Sequence, residues 1–420
     1  MPHPIHAEGR PRLEASPEQV ATGVSLLRTS ALRIVLLGLA LLGLAACAPL
    51  TSSTLPSESP APETTPYPWK LPAGIAPPVV PASNPMTPEK VELGRRLFYE
   101  KRLSVNGTFS CASCHDQKLG FADGKATPVG ATGEAHPRNS MGLANVAYSS
   151  VLTWGNPLMI SLETQAVVPL VGDTPLEIGF GERPAEILAL LEADPDYAHR
   201  FKEVFPDEAK PVQLANIAKA LAAFQRTLLS FDSPFDRAQR GNLNAMSPAA
   251  RRGADLFFSE RLECAHCHDQ PLFTDSVQTA RNPRPQVFFH NTGVFNIGGT
   301  GAFPPGGEGV FEVTENPNDM GKFKAPSLRN IAVTGPYFHD GSAKTLEDVI
   351  EHYRVGGRTI TEGPHAGVGA AHPLKDPLIG GFSLSESEKA DLLAFLESLT
   401  DETFLNNPDF ANPFEASEPK

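Results

Sequence analysis

Two pentapeptides of one form, Cys111-Ala-Ser-Cys114-His115 and Cys264-Ala-His-Cys267-His268, take up four of the five cysteines of this 420-residue chain. Each sets two thiols three positions apart with an imidazole immediately after. That spacing serves to attach a haem through two thioether bonds and to bind its iron from one side. Zinc would need further ligands clustered beside each pair, and disulfides would leave the paired histidines without a purpose. A chain carrying two such motifs must wrap two flat apolar groups, which limits its fold more than any local propensity does.

The fifth cysteine belongs to the leader. Arg28 and Arg33 precede the apolar run from Ile34 to Leu44, which closes on Ala45-Ala46-Cys47. The run is too short for a spanning helix and has the form of a signal peptide. Its ending resembles a bacterial lipobox, which implies cleavage before Cys47 and a lipid on its sulfur. The expected location is periplasmic, with membrane contact only through that anchor. Residues 1–46 carry four arginines and three glutamates, so the remainder is slightly more acidic than the whole chain at −13. That balance argues against a nucleic-acid partner and leaves room for a basic protein partner.

Residues 47–85 are rich in Pro, Ser and Thr and read as an extended tether. An internal repeat follows. Gly94-Arg-Arg-Leu97-Phe98-Tyr99 runs to Arg102-Leu103 before the first motif, and Gly253-Ala-Asp-Leu256-Phe257-Phe258 runs to Arg261-Leu262 before the second. Thr87-Pro88-Glu89 and Ser247-Pro248-Ala249 open the two copies as helix starts, with a capping hydroxyl and a proline in the first turn. Leu214, Ile217, Leu221, Phe224 and Leu228 predict a helix with one buried stripe within 211–231, and Ser385 with Glu388 predicts a capping box ahead of Leu392, Phe395, Leu396 and Leu399. The expected fold is mainly α: two cytochrome c-like haem domains packed against each other with long loops, over 86–240 and 241–405, with a tail over 406–420.

With Phe323-Lys-Ala-Pro-Ser-Leu-Arg-Asn330 and Thr334-Gly-Pro-Tyr-Phe-His-Asp-Gly341 after the second motif, the chain resembles the bacterial dihaem cytochrome c peroxidase and MauG superfamily over roughly 86–400. In that family the N-terminal haem meets hydrogen peroxide and the C-terminal haem stores or relays electrons. Tyr353 falls where the peroxidases carry a methionine as sixth ligand of the second haem, and tyrosine is the ligand of the MauG branch. A phenolate oxygen favours higher oxidation states of iron, whereas a thioether favours the ferrous state. Met320 and His352 remain the rivals for that position. Stretches 139–145 and 154–179 look most like the MbnH-type members of the branch.

The resemblance also implies roles around the first haem. Pro175-Leu-Glu177-Ile-Gly179 is similar to the family's distal loop and makes Glu177 the acid-base group, with Gln165 and Pro169 lining its pocket and Asp173 as a rival. Trp154 stands where the family has an aromatic near this haem, either relaying an electron or packing. His136 either closes the iron as a second imidazole or is an ordinary loop histidine, the latter being favoured if the first haem is open. Leu262 stands where MauG carries a tryptophan between the haems. A calcium ion between the domains would be held by Asn139, Thr334 and Pro336, since oxygen ligands suit that ion.

The function so implied is that of an exported dihaem oxidoreductase. It reacts with hydrogen peroxide at the N-terminal haem, forms a high-valent dihaem state and oxidises a tryptophan or tyrosine of a partner. For the MbnH-type likeness that partner is a copper-binding, MbnP-type exported protein. The alternatives are a cytochrome c peroxidase fed by a small cytochrome or cupredoxin, and a non-catalytic electron-transfer dihaem cytochrome.

Overall fold

The computed structural model describes residues 67–415 apart from 284. The expected signal peptide, Cys47 and the expected tether as far as 66 lie outside the described residues, as do residues 416–420. Eleven α-helices occur among the described residues. They are α1 (Pro88–Tyr99), α2 (Leu162–Val171), α3 (Pro184–Ala193), α4 (Pro195–Val204), α5 (Leu214–Arg226), α6 (Pro234–Gln239), α7 (Pro248–Phe257), α8 (Phe311–Thr314), α9 (Leu346–Arg354), α10 (Glu386–Glu397) and α11 (Glu402–Leu405). Two short antiparallel strands, Thr359–Ile360 and Gly367–Val368, are the only sheet there. The fold is thus mainly α with long loops. No helix among the described residues is long and apolar enough to cross a membrane.

The helix starts form as the sequence predicts. Thr87 caps α1 by accepting from Lys90 N–H, Ser247 caps α7 by accepting from Ala250 N–H, and Ser385 with Glu388 makes the capping box of α10. The predicted helix within 211–231 is shorter, because the chain turns at Thr227 and buries Leu228 in a loop whose carbonyl accepts from Asn145 N–H at 2.8 Å.

The repeat is a repeat of helix crossings. Helix α1 crosses α5 and α7 crosses α10, and at each crossing a repeat glycine meets backbone. A Cβ on Gly94 would stand 1.9 Å from Ala220 O, and one on Gly253 would stand 1.9 Å from Asp391 O. Without a side chain at these positions the helices close until the aromatics behind them touch. Phe98 reaches Phe224 at 5.3 Å between ring centroids, and its counterpart Phe257 reaches Phe395 at 5.0 Å. Leu103 and Leu262, also equivalent, are both buried. Two separate apolar cores result, one around Leu97, Phe98, Phe121 and Phe224, the other around Phe257, Phe273, Phe395 and Leu399.

Two segments depart from the expected boundaries. Residues 67–85, read as tether, lie against the folded body. Leu71 and Ile75 pack on Tyr148, whose hydroxyl donates to Ala76 O, and the fully buried Asn84 donates to Glu163 at 2.7 Å while accepting from Lys90. Proline and serine content suggests an extended chain, but two apolar side chains and one satisfied amide are enough to dock it. The chain's end likewise returns to the first core through Phe404, Leu405 and Phe410.

The crossings yield a direct test. Gly94→Ala or Gly253→Ala should cost about 3 kcal/mol by overpacking against backbone. Gly380→Ala, where a Cβ meets nothing within 4 Å, should stay within about 0.5 kcal/mol of the parent. Denaturant unfolding of the three variants measures the difference.

Candidate functional site: a cavity shared by both haem motifs

Cys111, Cys114 and His115 line the same cavity as Cys264, Cys267 and His268, a space of about 730 Å³ between the two cores. Each motif begins in a single turn of 3-10 helix, at Cys111–Ser113 and Cys264–His266, which brings both cysteines and the histidine round to one wall. Burial pushes the Cys111 thiol up to about 12, Cys114 to about 11 and Cys264 to about 12. Such thiols are poor thiolate donors to a metal, whereas an uncharged thioether suits the same wall.

The two histidines are held alike. His115 Nδ1 donates to Phe121 O at 2.7 Å and His268 Nδ1 donates to Phe273 O at 3.0 Å. This leaves each Nε2 as the free ligand atom. Both carbonyls come from phenylalanines in the left-handed region, at φ 63° and 54°. A side chain is strained there, and the buried rings hold it in place. Burial also keeps both imidazoles below their ordinary value, hence neutral and able to bind a metal. Cysteines, free imidazole nitrogens and apolar walls together fit two haems.

Glu177 is near enough to the first motif to influence both Cys111 and Cys114 electrostatically. Gln165 and Pro169 are one turn apart on α2, and both line the cavity with Trp154 and Glu177. The loop carrying Glu177 is pinned to that helix by Ile178 N–H donating to Pro169 O at 3.0 Å. The Glu177 side chain is 42% exposed, and its partial desolvation raises the carboxyl above its ordinary value, to about 7. Asp173 is exposed and off the cavity wall. His136, which the sequence also allowed to be an ordinary loop residue, lines this wall too. Its Nδ1 is 3.8 Å from Glu177, and its buried Nε2 has no partner.

Around the second motif the structure separates the three rival ligands. Tyr353, on α9, lines the cavity with Cys264, Cys267 and His268. His352 lies off that wall, donates Nε2 to Thr292 O at 2.8 Å and is pushed down to about 4 by burial. Met320 packs with Trp154, Phe295, Phe303 and Phe323. Burial first, then the nearby cysteines, raises the Tyr353 phenol above its ordinary value. A ferric ion opposite would reverse that preference, because the cation is the largest local charge.

Asn139, Thr334 and Pro336 all line the cavity. Asn139 O accepts from Trp154 Nε1 at 2.8 Å, and its side-chain amide donates to Lys125 O at 2.8 Å. Leu262 is buried in the second core and reaches the cavity. Residues that the sequence reading passed over also stand here. His290 is clamped between Asp275 at 2.6 Å and Asp376 at 2.7 Å. Burial would lower its imidazolium, but hydrogen bonds to Asp275, Cys267 and Asp376 raise it to about 11. Lys324 and His339 are two more buried groups on the wall. Both sit inside motifs visible in the sequence, yet nothing there tells a wall residue from a packed one.

Residues 88–244 match the family model described as di-haem cytochrome c peroxidase. The cytochrome-c peroxidase IdrP1 of Denitromonas iodatirespirans is 37% identical across 78% of this chain and 86% of its own length. The methylamine utilization protein MauG of Methylorubrum extorquens is 35% identical across 76% of this chain and 80% of its own. A crystal structure of a MauG-like protein associated with microbial copper homeostasis superposes with a TM-score of 0.81 at 49% identity, covering 83% of this chain and 99% of that one. The chain belongs to the dihaem cytochrome c peroxidase and MauG family. It is accordingly a peroxide-dependent dihaem oxidoreductase, and its two Cys-x-x-Cys-His motifs match the two haems of that family in number.

The separation of ligands has a spectroscopic consequence. Tyr353→Phe should change the electronic absorption of one haem and leave the other's intact. Met320→Leu should change neither, nor should His352→Gln, which should cost about 1–2 kcal/mol of stability from the lost buried hydrogen bond. Spectra of the three variants decide between the candidates.

Proposed function

We propose that this enzyme uses hydrogen peroxide to oxidise a tryptophan or tyrosine of a partner protein, and that the inequality of its two haem sites makes this possible. The observation that carries the reading is Tyr353, a phenol where a methionine would serve electron uptake, lining the same cavity as His268. Haem bound at these sites supplies iron able to take two oxidising equivalents from peroxide and hold them. An anionic oxygen donor disfavours ferrous iron, so the second site is suited to holding an oxidising equivalent.

The chain's own groups handle protons and access. Glu177, poised near 7, accepts the proton from the inner peroxide oxygen and returns it to the departing one. Gln165 and Pro169 confine that space from α2, and Trp154 fills the wall beside it, tied to Asn139 O. Peroxide leaves as two waters while the partner residue loses two electrons and two protons. Asn139 with the carbonyls of Thr334 and Pro336 is the proposed calcium site, bracing the wall that carries Trp154. Export to the periplasm and anchorage through a lipid on Cys47 belong to the same proposal. So does a copper-binding, MbnP-type exported partner, a reading supported by the copper-homeostasis association of the MauG-like structure.

The peroxidase relative at 37% identity favours the second reading, in which a small cytochrome or cupredoxin feeds electrons to the enzyme. One experiment separates them. Holoenzyme, peroxide and an exported copper-binding protein of the MbnP type should give a peroxide-dependent mass change on a tryptophan or tyrosine of that protein. Fast turnover with reduced cytochrome and an unmodified partner would favour the second reading. Because Glu177 must be deprotonated to accept a proton, the rate of reaction with peroxide should rise as pH passes about 7. Glu177→Gln should remove that inflection and slow the step by about 10²–10⁴-fold.

A further inference from the structure

Four basic side chains line the shared cavity, and three of them are matched by a carboxylate. Arg138 pairs with Glu312, Arg261 with Glu388 and Arg329 with Asp236. The fourth, Lys324, is only 7% exposed, and no acid lies within ion-pair distance of it among the described residues. Its Nζ donates to one neutral group, Val151 O at 3.0 Å. Asp275 contributes to its electrostatic surroundings but is engaged by His290 at 2.6 Å. An ammonium left in an apolar wall with a single carbonyl is costly unless an anion joins it.

The position of Lys324 shows where that anion would enter. It follows Phe323, whose ring stacks on His339 at 3.8 Å, and its backbone N–H donates to Trp154 O at 2.8 Å. Asn139 N–H donates to His339 O at 2.8 Å, which brings Arg138, the neighbour of Asn139, to the same region. His339 Nε2 and Arg138 Nε are buried there without partners, and both residues line the cavity. Three buried nitrogen groups therefore face a space into which two haems must fit, and each haem brings two carboxylates on its edge.

We propose that Lys324 is the counter-ion of a haem propionate, with His339 Nε2 and Arg138 Nε as the neighbouring propionate-binding groups. Lys324 acts as a positioning residue. Its stem comes from the segment after the second motif, while its nitrogens are fixed by carbonyls of Val151 and Trp154 from the segment before α2, so one charge registers the haem edge against both halves of the protein. A fixed cation near a haem favours the reduced iron, and this effect opposes that of Tyr353. The proposal rests on the two bound haems and not on the identity of the partner.

The test compares holoenzyme with Lys324→Met, Lys324→Gln and Lys324→Arg, each first shown by intact mass to carry two covalent haems. In Lys324→Met the propionate-sensitive resonance Raman bands of one haem should shift. Its ferrous fraction at a fixed ambient potential should also fall, by about tenfold. Lys324→Gln should behave the same way and carries the test if the methionine variant does not fold. Lys324→Arg should keep both signals close to the parent. Raman bands and ferrous fractions in the neutral variants that match the parent would overturn the proposal, as would an arginine variant indistinguishable from the methionine one. Failure of partner oxidation would leave these signals unchanged and so reads separately.

Discussion

The hydrogen bond from His115 Nδ1 to Phe121 O, repeated from His268 Nδ1 to Phe273 O, is the interaction on which the rest of this structure depends. It sets which imidazole nitrogen faces the cavity and in what direction. In both copies the carbonyl comes from a backbone in the left-handed region, and each phenylalanine stays there because its ring is locked in a core. Those cores exist because Gly94 and Gly253 let two pairs of helices close to backbone contact. Helix crossing, aromatic packing, strained carbonyl and oriented imidazole thus form one chain of dependence, built twice in one polypeptide.

Function comes from where the two copies differ. Both hold a neutral histidine, so the distinction falls to which other groups lie near each motif. One has a carboxyl raised to about 7 by partial desolvation, on a loop tied to α2; the other has a phenol on α9. A carboxyl of that pKa can move protons at neutral pH, and a phenol can bind ferric iron as an anion. Both copies open onto one cavity, whose lining also includes Trp154 and Lys324.

Much of this was legible in the sequence because it is local or periodic. The cysteine spacing names the cofactor, the repeat glycines and phenylalanines mark equivalent crossings, and the capping residues mark where helices begin. Preferring Tyr353 to His352 from sequence required the family pattern; the structure adds that neighbouring residues of a helix point about 100° apart and that Tyr353, not His352, lines the cavity. What could not be read were contacts between distant segments. The docking of residues 67–85 rests on Leu71, Ile75 and Asn84 finding partners far along the chain, and Phe404 and Phe410 complete a core begun three hundred residues earlier. His136 is likewise placed beside Glu177 by loops whose course composition does not reveal.

The central claim is that the two haem sites are unequal and act on one peroxide together. Electron paramagnetic resonance of the ferric holoenzyme, titrated with hydrogen peroxide, tests it most directly. The account predicts one high-spin and one low-spin signal that disappear together on adding a single equivalent. Two low-spin signals that ignore peroxide would contradict it, as would signals that are lost independently with separate equivalents.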